Sequence, residues 1–346
     1  MQPFAMAKHL AIVGPTACGK SRLAMAIARR SGDCELVSLD SMQVYRGMDI
    51  GTAKATRAER DEIAHHLIDV VDCSDEWTVA RAQRDARAAI ADIESRGHRA
   101  ILVGGTGLYV QAVIDNLTMP GEDLVVRAEL EAATSLPGGL LAAWHELQAV
   151  DPTAASRIDE HNQRRIVRAL EVIRITGQPF SSFGSGVFDA QPAVDALRVG
   201  LWWPRALLGA RIEQRFVAMR EAGLVDEVRA LASRLSRTAR QAIGYKELLA
   251  ATEGVRAALP SETVTSAPDE LPHASPRESP DELPHESPDE LLDDAFDLAV
   301  RRTRSFARRQ RMWFRRDPHI VWWRGAEPEH ESRLTDAILA CWRGTS

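Results

Sequence analysis

What the chain lacks narrows the classes first. Its longest apolar stretch, Ala100 to Ile114, is shorter than a bilayer span and is interrupted by Gly104, Gly105 and Gly107. No charged-then-apolar leader precedes the first motif, so the sequence predicts a cytoplasmic protein without a membrane segment. Four cysteines, Cys18, Cys34, Cys73 and Cys341, form neither a C-x-x-C pair nor a disulfide framework and read as reduced thiols. His65 and His66 have no third ligand at metal spacing and read as structural. An N-K-x-D guanine-reading motif is absent, which argues against a nucleotide switch.

At 346 residues, with 45% hydrophobic and 27% charged residues, the chain can bury an α/β core and a second lobe. Its net charge of −6 is unevenly spread. Residues 261–294 hold eleven acids and one arginine, which leaves 42 basic and 38 acidic residues for the rest, a body of +4. Eight arginines and no acid lie between Arg301 and Arg316, and a second cluster comprises Arg157, Arg164, Arg165, Arg168 and Arg174. Such clusters suit a nucleic-acid backbone, although either one alone also fits a solvated helix face. Within the acidic segment Pro268-Asp269-Glu270-Leu271-Pro272-His273 recurs at 280–285 and aromatic residues are missing. That composition predicts a disordered loop over 261–290, to which no function is assigned.

What is present begins with Gly14-Pro15-Thr16-Ala17-Cys18-Gly19-Lys20-Ser21, a G-x-x-x-x-G-K-[ST] phosphate loop between an apolar run, His9 to Val13, and a helical pattern, Ser21 to Arg30. A strand feeding a glycine loop and then a helix start aims several backbone N–H groups and the positive helix end at one anion. Lys20 adds charge, and Ser21 a hydroxyl for Mg²⁺. The loop predicts a bound polyphosphate without saying whether it belongs to a nucleotide.

Further short strands are expected at Glu35–Leu39, ending at Asp40, at Ala100–Val103, ending in Gly104-Gly105-Thr106-Gly107, and at Leu197–Trp202. A helix over Thr78–Arg96 separates two of them. Strand and helix alternate as in a parallel sheet with helices on both faces, an α/β fold of the P-loop NTPase type. Asp40 then lies at the carboxyl edge of the sheet, where ligands bind. Residues 120–196 carry helical patterns at Val125–Thr134, Leu140–Val150 and Asn162–Thr176 and read as a helical insertion. The expected organisation is a core in 1–119, the insertion in 120–196, the rest of the core in 197–260, the acidic loop in 261–290 and an arginine-rich helix and tail in 291–346. The last helix is expected from about Ala295 to Phe314.

The ordered motifs resemble bacterial tRNA dimethylallyltransferases. They are the phosphate loop, Ser38 to Lys54, His65 to Asp69, Val103 to Tyr109, Gln163 to Val172, Arg211 to Phe216, Gln241 to Lys246 and Ala307 to Phe314. The resemblance implies transfer of a dimethylallyl group from dimethylallyl diphosphate to N6 of an adenosine beside the tRNA anticodon, with diphosphate released. It implies that Gly14, Pro15, Thr16, Ala17, Cys18, Gly19, Lys20 and Ser21 bind the diphosphate, that Mg²⁺ sits on Ser21, and that Asp40 is the general base. Arg215 would meet the charge growing on the diphosphate, with the Thr16 hydroxyl near the departing oxygen. It further implies tRNA contacts from Asp40, Ser41, Met42, Gln43, Thr106, Arg127, from Gln163, Arg164, Arg165, Ile166, Val167, and from Gln241, Ala242, Ile243, Gly244, Tyr245, Lys246. The expected partners are tRNA, through its anticodon stem-loop, and dimethylallyl diphosphate, with the enzyme a monomer. Cys18 replaces the family's usual small residue, and facing the loop amides it would make the enzyme sensitive to oxidation. A P-loop kinase of small molecules or nucleotides, and an adenylate isopentenyltransferase acting on free nucleotide, share the front half. The helical insertion and the arginine clusters favour the tRNA enzyme over both.

Overall fold

The computed structural model describes residues 7–115, 117, 119–183, 192–258 and 287–344. Its centre is a parallel sheet of β1 (His9–Val13), β2 (Cys34–Ser38), β3 (His65–His66), β4 (Arg99–Gly104), β5 (Ala196–Trp202) and β6 (Ile320–Arg324), in the order β3-β2-β4-β1-β5-β6. β1 and β2 are buried along their whole lengths, the polar His9, Glu35 and Ser38 included, because helices cover both faces of the sheet.

The first half of the chain supplies α1 (Lys20–Ser31), α2 (Arg57–Glu62), α3 (Val79–Ser95) and α4 (Gly107–Ile114). Leu23, Met25 and Ile27 of α1 join one apolar cluster, while Ala86, Ile90 and Ile93 of α3 with Val110 and Val113 of α4 join the cluster on the other side. Burying each such large side chain contributes about 1.5–3 kcal/mol, so the two layers fix the sheet between them. Because β4 returns between β2 and β1, the turns after these three strands meet at one carboxyl edge.

Four helices follow, α5 (Leu124–Ser135), α6 (Gly139–Val150), α7 (Pro152–Ala155) and α8 (Gln163–Thr176), and they pack around a cluster of their own that includes Leu130, Leu147, Ile166, Val167 and Leu170. Its polar anchor is Glu171, whose side chain is fully buried and accepts bonds from the Asp123 amide at 2.9 Å and from Arg127 and Arg168. After β5 come α9 (Arg205–Glu221), α10 (Leu224–Leu231) and α11 (Tyr245–Ala258), then α12 (Pro288–Phe314) and α13 (Glu331–Arg343).

α12 starts earlier than the apolar periodicity predicts. Ser287 and Glu290 form a reciprocal capping box, so the last four residues of the acidic 261–290 segment belong to a helix end and its first turn. The remainder of that segment lies outside the described residues. α12 runs 27 residues and crosses the edge of the sheet: Ala295, Phe296, Ala299 and Ala307 sit in the cluster of α1, whereas Phe314 sits in the cluster of α3.

At the opposite, amino edge, Glu35 gathers His66 at 2.7 Å, His98 at 2.8 Å and Arg96 at 2.8 Å. Burial alone would raise the Glu35 carboxyl, but these hydrogen bonds and the Arg96 charge bring it down to about 2. A carboxylate depressed on folding stabilises the fold above its unfolded value and loses that contribution as pH falls through the folded one. The urea midpoint of the native chain should therefore drop between about pH 4.5 and about pH 2. In Glu35→Gln this part of the pH dependence should be missing, and equal slopes in both proteins would refute the assignment.

Candidate active site

The turn after β1 depends on backbone geometry that few residues tolerate. Gly14 has φ +144°, and a Cβ there would stand 2.6 Å from the Leu201 carbonyl of β5. Ala17 and Gly19 also adopt positive φ, at 61° and 91°. Three carbonyls of this turn are tied by side chains, one by the loop's own Lys20 and two from beyond β5. Lys20 Nζ donates to the Pro15 oxygen at 2.7 Å, Arg211 Nε to that of Ala17 at 3.1 Å, and Trp203 Nε1 to that of Cys18 at 2.9 Å. The Arg211 guanidinium also lies 4.6 Å above the Trp203 ring. In a trans peptide the N–H points away from its carbonyl, so fixing the Ala17 and Cys18 oxygens turns the Cys18 and Gly19 amides to the inner side. This cradle fits an anion at the start of α1, with Trp203 and Arg211 from beyond β5 helping to hold it in shape.

Thr16 is gripped twice. Its amide donates to Gln310 Oε1 of α12 at 2.9 Å, and its Oγ1 accepts from Arg215 Nη1 of α9 at 3.3 Å. Burial pushes the Arg215 guanidinium below its ordinary range, while the nearby Asp40 charge acts in the other direction.

Asp40 follows β2 with its Oδ1 accepting from the Met42 amide at 2.8 Å and the Gln43 amide at 3.4 Å, a turn that fixes the carboxylate. The Gln43 side chain accepts from Ser38 Oγ at 2.8 Å and donates to the Thr52 carbonyl at 3.2 Å, so it stiffens the same turn. Ser41 Oγ and Thr106 Oγ1, after β4, are 3.4 Å apart. The phosphate loop, Asp40, Ser41, Thr106 and Arg215 therefore share one edge.

Other expected contact residues sit differently. Ile166 and Val167 are buried in the cluster of α5–α8, because the apolar face of α8 turns them inward while Arg164 and Arg165 stay exposed without an acidic partner among the described residues. Arg127 is half-buried and bonded to Glu171, so its guanidinium holds α5 to α8. Ala242 and Tyr245 are buried, and the Tyr245 hydroxyl donates to Glu227, whose carboxylate also accepts from the Asp49, Ile50 and Gly51 amides. Gly244 takes φ +98° to start α11, Ile243 is half-buried, and Gln241 and Lys246 are exposed and bonded to each other at 3.2 Å.

Cys18 corrects an expectation. Its side chain is 2% exposed, packs with the core against Gly14 and Lys20, and burial raises its thiol above the ordinary range, so it does not present a reactive thiolate to the cradle.

Sequence motifs alone give no role to Gln310, Trp203 or Arg211. Gln310 had a legible signal: it is the one amide on the inward stripe of α12 made by Thr303, Ala307, Gln310 and Phe314. Ser21, in the first turn of α1, keeps its hydroxyl free of any bond to the described residues, and no group of three or more His, Cys, Asp or Glu among them is arranged to hold a metal. A hard cation would fit there only with a phosphate-bearing ligand completing its oxygen shell.

Residues 43–317 match the model of the IPP transferase family. The chain is 39% identical over 335 residues to a tRNA dimethylallyltransferase of Bifidobacterium longum subsp. infantis, covering 96% of this chain and 89% of that protein. It is 45% identical over 322 residues to one of Streptomyces avermitilis, covering 92% and 90%. A crystal structure of the full-length tRNA isopentenylpyrophosphate transferase of Bacillus halodurans superposes with a TM-score of 0.63 at 35% identity, covering 98% of both chains. With the family model spanning most of the sequence and these relatives matching nearly end to end, the chain belongs to the IPP transferase family.

Proposed function

We propose that this protein is a tRNA dimethylallyltransferase, transferring the prenyl group of dimethylallyl diphosphate to N6 of an adenosine beside the anticodon and releasing diphosphate. The observation that carries the reading is the pairing of a phosphate cradle with a base across one arginine: Arg215 bonds Thr16 of the loop and lies within the field of Asp40. A kinase would need the loop to hold a donor whose terminal phosphate moves. In the proposed reading the loop holds the leaving group instead.

As the allylic C–O bond breaks, positive charge develops on carbon and negative charge on the diphosphate oxygens. Groups aimed at that growing charge accelerate the step because they bind the transition state better than the ground state. The Cys18 and Gly19 amides, Lys20 and Arg215 have that position, with the Thr16 hydroxyl toward the departing oxygen. Mg²⁺, bound through Ser21 and the substrate's own phosphates, would neutralise part of the charge. The adenine amine is a weak nucleophile because its lone pair is delocalised, so Asp40, fixed by the Met42 and Gln43 amides, accepts its proton as the C–N bond forms. To reach an anion cradle inside the edge, the acceptor base leaves its stack. Arg164 and Arg165 on α8, with the exposed Arg301, Arg308 and Arg309 of α12, offer the counter-charge for the stem. No helix among the described residues is long and apolar enough to cross a membrane, and the proposed site of action is the cytoplasm.

The test combines the protein with labelled dimethylallyl diphosphate, Mg²⁺ and either unmodified tRNA or AMP. Label in tRNA is expected. Label in AMP only would point to a free-nucleotide enzyme, and transfer of the γ-phosphate of ATP to a kinase. Replacing Arg164 and Arg165 by glutamine should weaken tRNA binding and lower its salt slope by about one per arginine removed. An unchanged slope in filter binding would return both residues to an ordinary solvated surface.

A further inference from the structure

Gln310 is buried, 6% exposed, on a helix whose neighbouring positions are mostly arginine. Its amide bridges two turns of the catalytic edge: Oε1 accepts from the Thr16 amide at 2.9 Å, and Nε2 donates to the Gly105 carbonyl at 2.8 Å. The approach is so close that a Cβ on Gly105 would stand 2.7 Å from Nε2. Three residues further along α12, Trp313 occupies the space where Gly107 has no side chain, its ring 2.2 Å from an added Cβ.

We infer that Gln310 is a positioning residue that sets the phosphate loop in its working register against the arginine helix. Both of its bonds are needed. By holding the Thr16 amide, Gln310 removes that N–H from the anion cradle and leaves the Thr16 hydroxyl, oriented by Arg215, as the group of this residue that meets the ligand. By holding the Gly105 carbonyl, it locks the turn that carries Thr106 at a fixed distance from the same loop. The diphosphate seat and the helix with the arginines thus form one unit. This inference rests on the proposed reading of the loop as a diphosphate site.

Three variants and two probes test it. In Gln310→Leu, which removes both bonds, kcat for tRNA prenylation should fall by about 10²-fold, the effect of a displacement near 1 Å at a reacting centre. Inorganic diphosphate with Mg²⁺, titrated by calorimetry, should bind about 10-fold more weakly. The tRNA affinity should stay within about twofold of native, since no RNA-facing charge is lost. Gln310→Asn, one methylene shorter, should reach only one of its two partners and restore little. Gln310→Glu gives a signature that a purely structural residue would not. Its protonated acid can accept from Thr16 and donate to Gly105, whereas its carboxylate repels both the carbonyl and the anion; burial at this position raises the carboxyl, so the ratio of variant to native kcat should rise as the pH is lowered. Native kcat and diphosphate affinity in Gln310→Leu would overturn the inference, and so would a parallel loss of tRNA affinity, thermal stability and kcat. If the native chain binds diphosphate but fails to prenylate tRNA, the functional reading falls. The diphosphate titrations would still judge Gln310.

Discussion

Asp40→Asn should bind Mg²⁺-diphosphate as the native chain does while kcat for tRNA prenylation falls by about 10²–10⁴, the range that a positioned general base contributes. The substitution is nearly isosteric, and the asparagine oxygen can still accept from the Met42 and Gln43 amides, so the turn after β2 should persist. What disappears is the basicity. Loss of the charge beside Arg215 should alter diphosphate affinity by little, because the cradle's amides, Lys20 and Arg215 remain. Weak diphosphate binding with near-native kcat would instead make Asp40 a metal-holding or structural carboxylate. The chemical step should be read from single-turnover kinetics, so that slow product release does not hide it.

The second large effect concerns the fold. Arg198 in β5 is buried and pairs with Asp115 at the end of α4 and with Asp317 at 2.7 Å, between α12 and β6, all three side chains being 5% exposed or less. Burial drives the Asp115 carboxyl upward, and the Arg198 guanidinium opposes that shift. Arg198→Met should cost about 3–5 kcal/mol, because the aliphatic chain fits the space but leaves the buried Asp115 carboxylate without its partner and Asp317 with His319 alone. A lower urea midpoint with an unchanged slope is expected. Adding Asp115→Asn and Asp317→Asn should recover much of the loss by removing the stranded charges. A cost below about 1 kcal/mol would show that water reaches the triad.

How much of this was legible in the sequence depends on the span over which each meaning is set. The phosphate loop is a local object: Gly14, Gly19, Lys20 and Ser21 lie within eight positions, and the flanking strand and helix confirm it. Asp40 is legible for a similar reason, because a short buried run ending in a carboxylate can only leave that group at the strand's edge. The arginines were harder. Arg127 has the composition of an RNA contact, yet its partner Glu171 is 44 positions away. The difference between Arg164 and Ile166 is one of helix phase, visible only once the apolar face of α8 has something to pack against. Gln310 is the extreme case, since its partner at Thr16 is 294 positions distant and no local pattern records that bond. At 287–290 two signals conflict: acidic, proline-rich composition argues for a loop, and the Ser287–Glu290 box prevails because two otherwise orphaned amides are satisfied at once.

The path of α12 across the sheet edge also bears on how the protein is made. The loop, the base and α9 with Arg215 all precede, in order of synthesis, the helix that fastens Thr16 to Gly105 and packs against both layers. A nascent chain therefore carries the loop, Asp40 and Arg215 before the bonds that hold Thr16 and Gly105 in place can form.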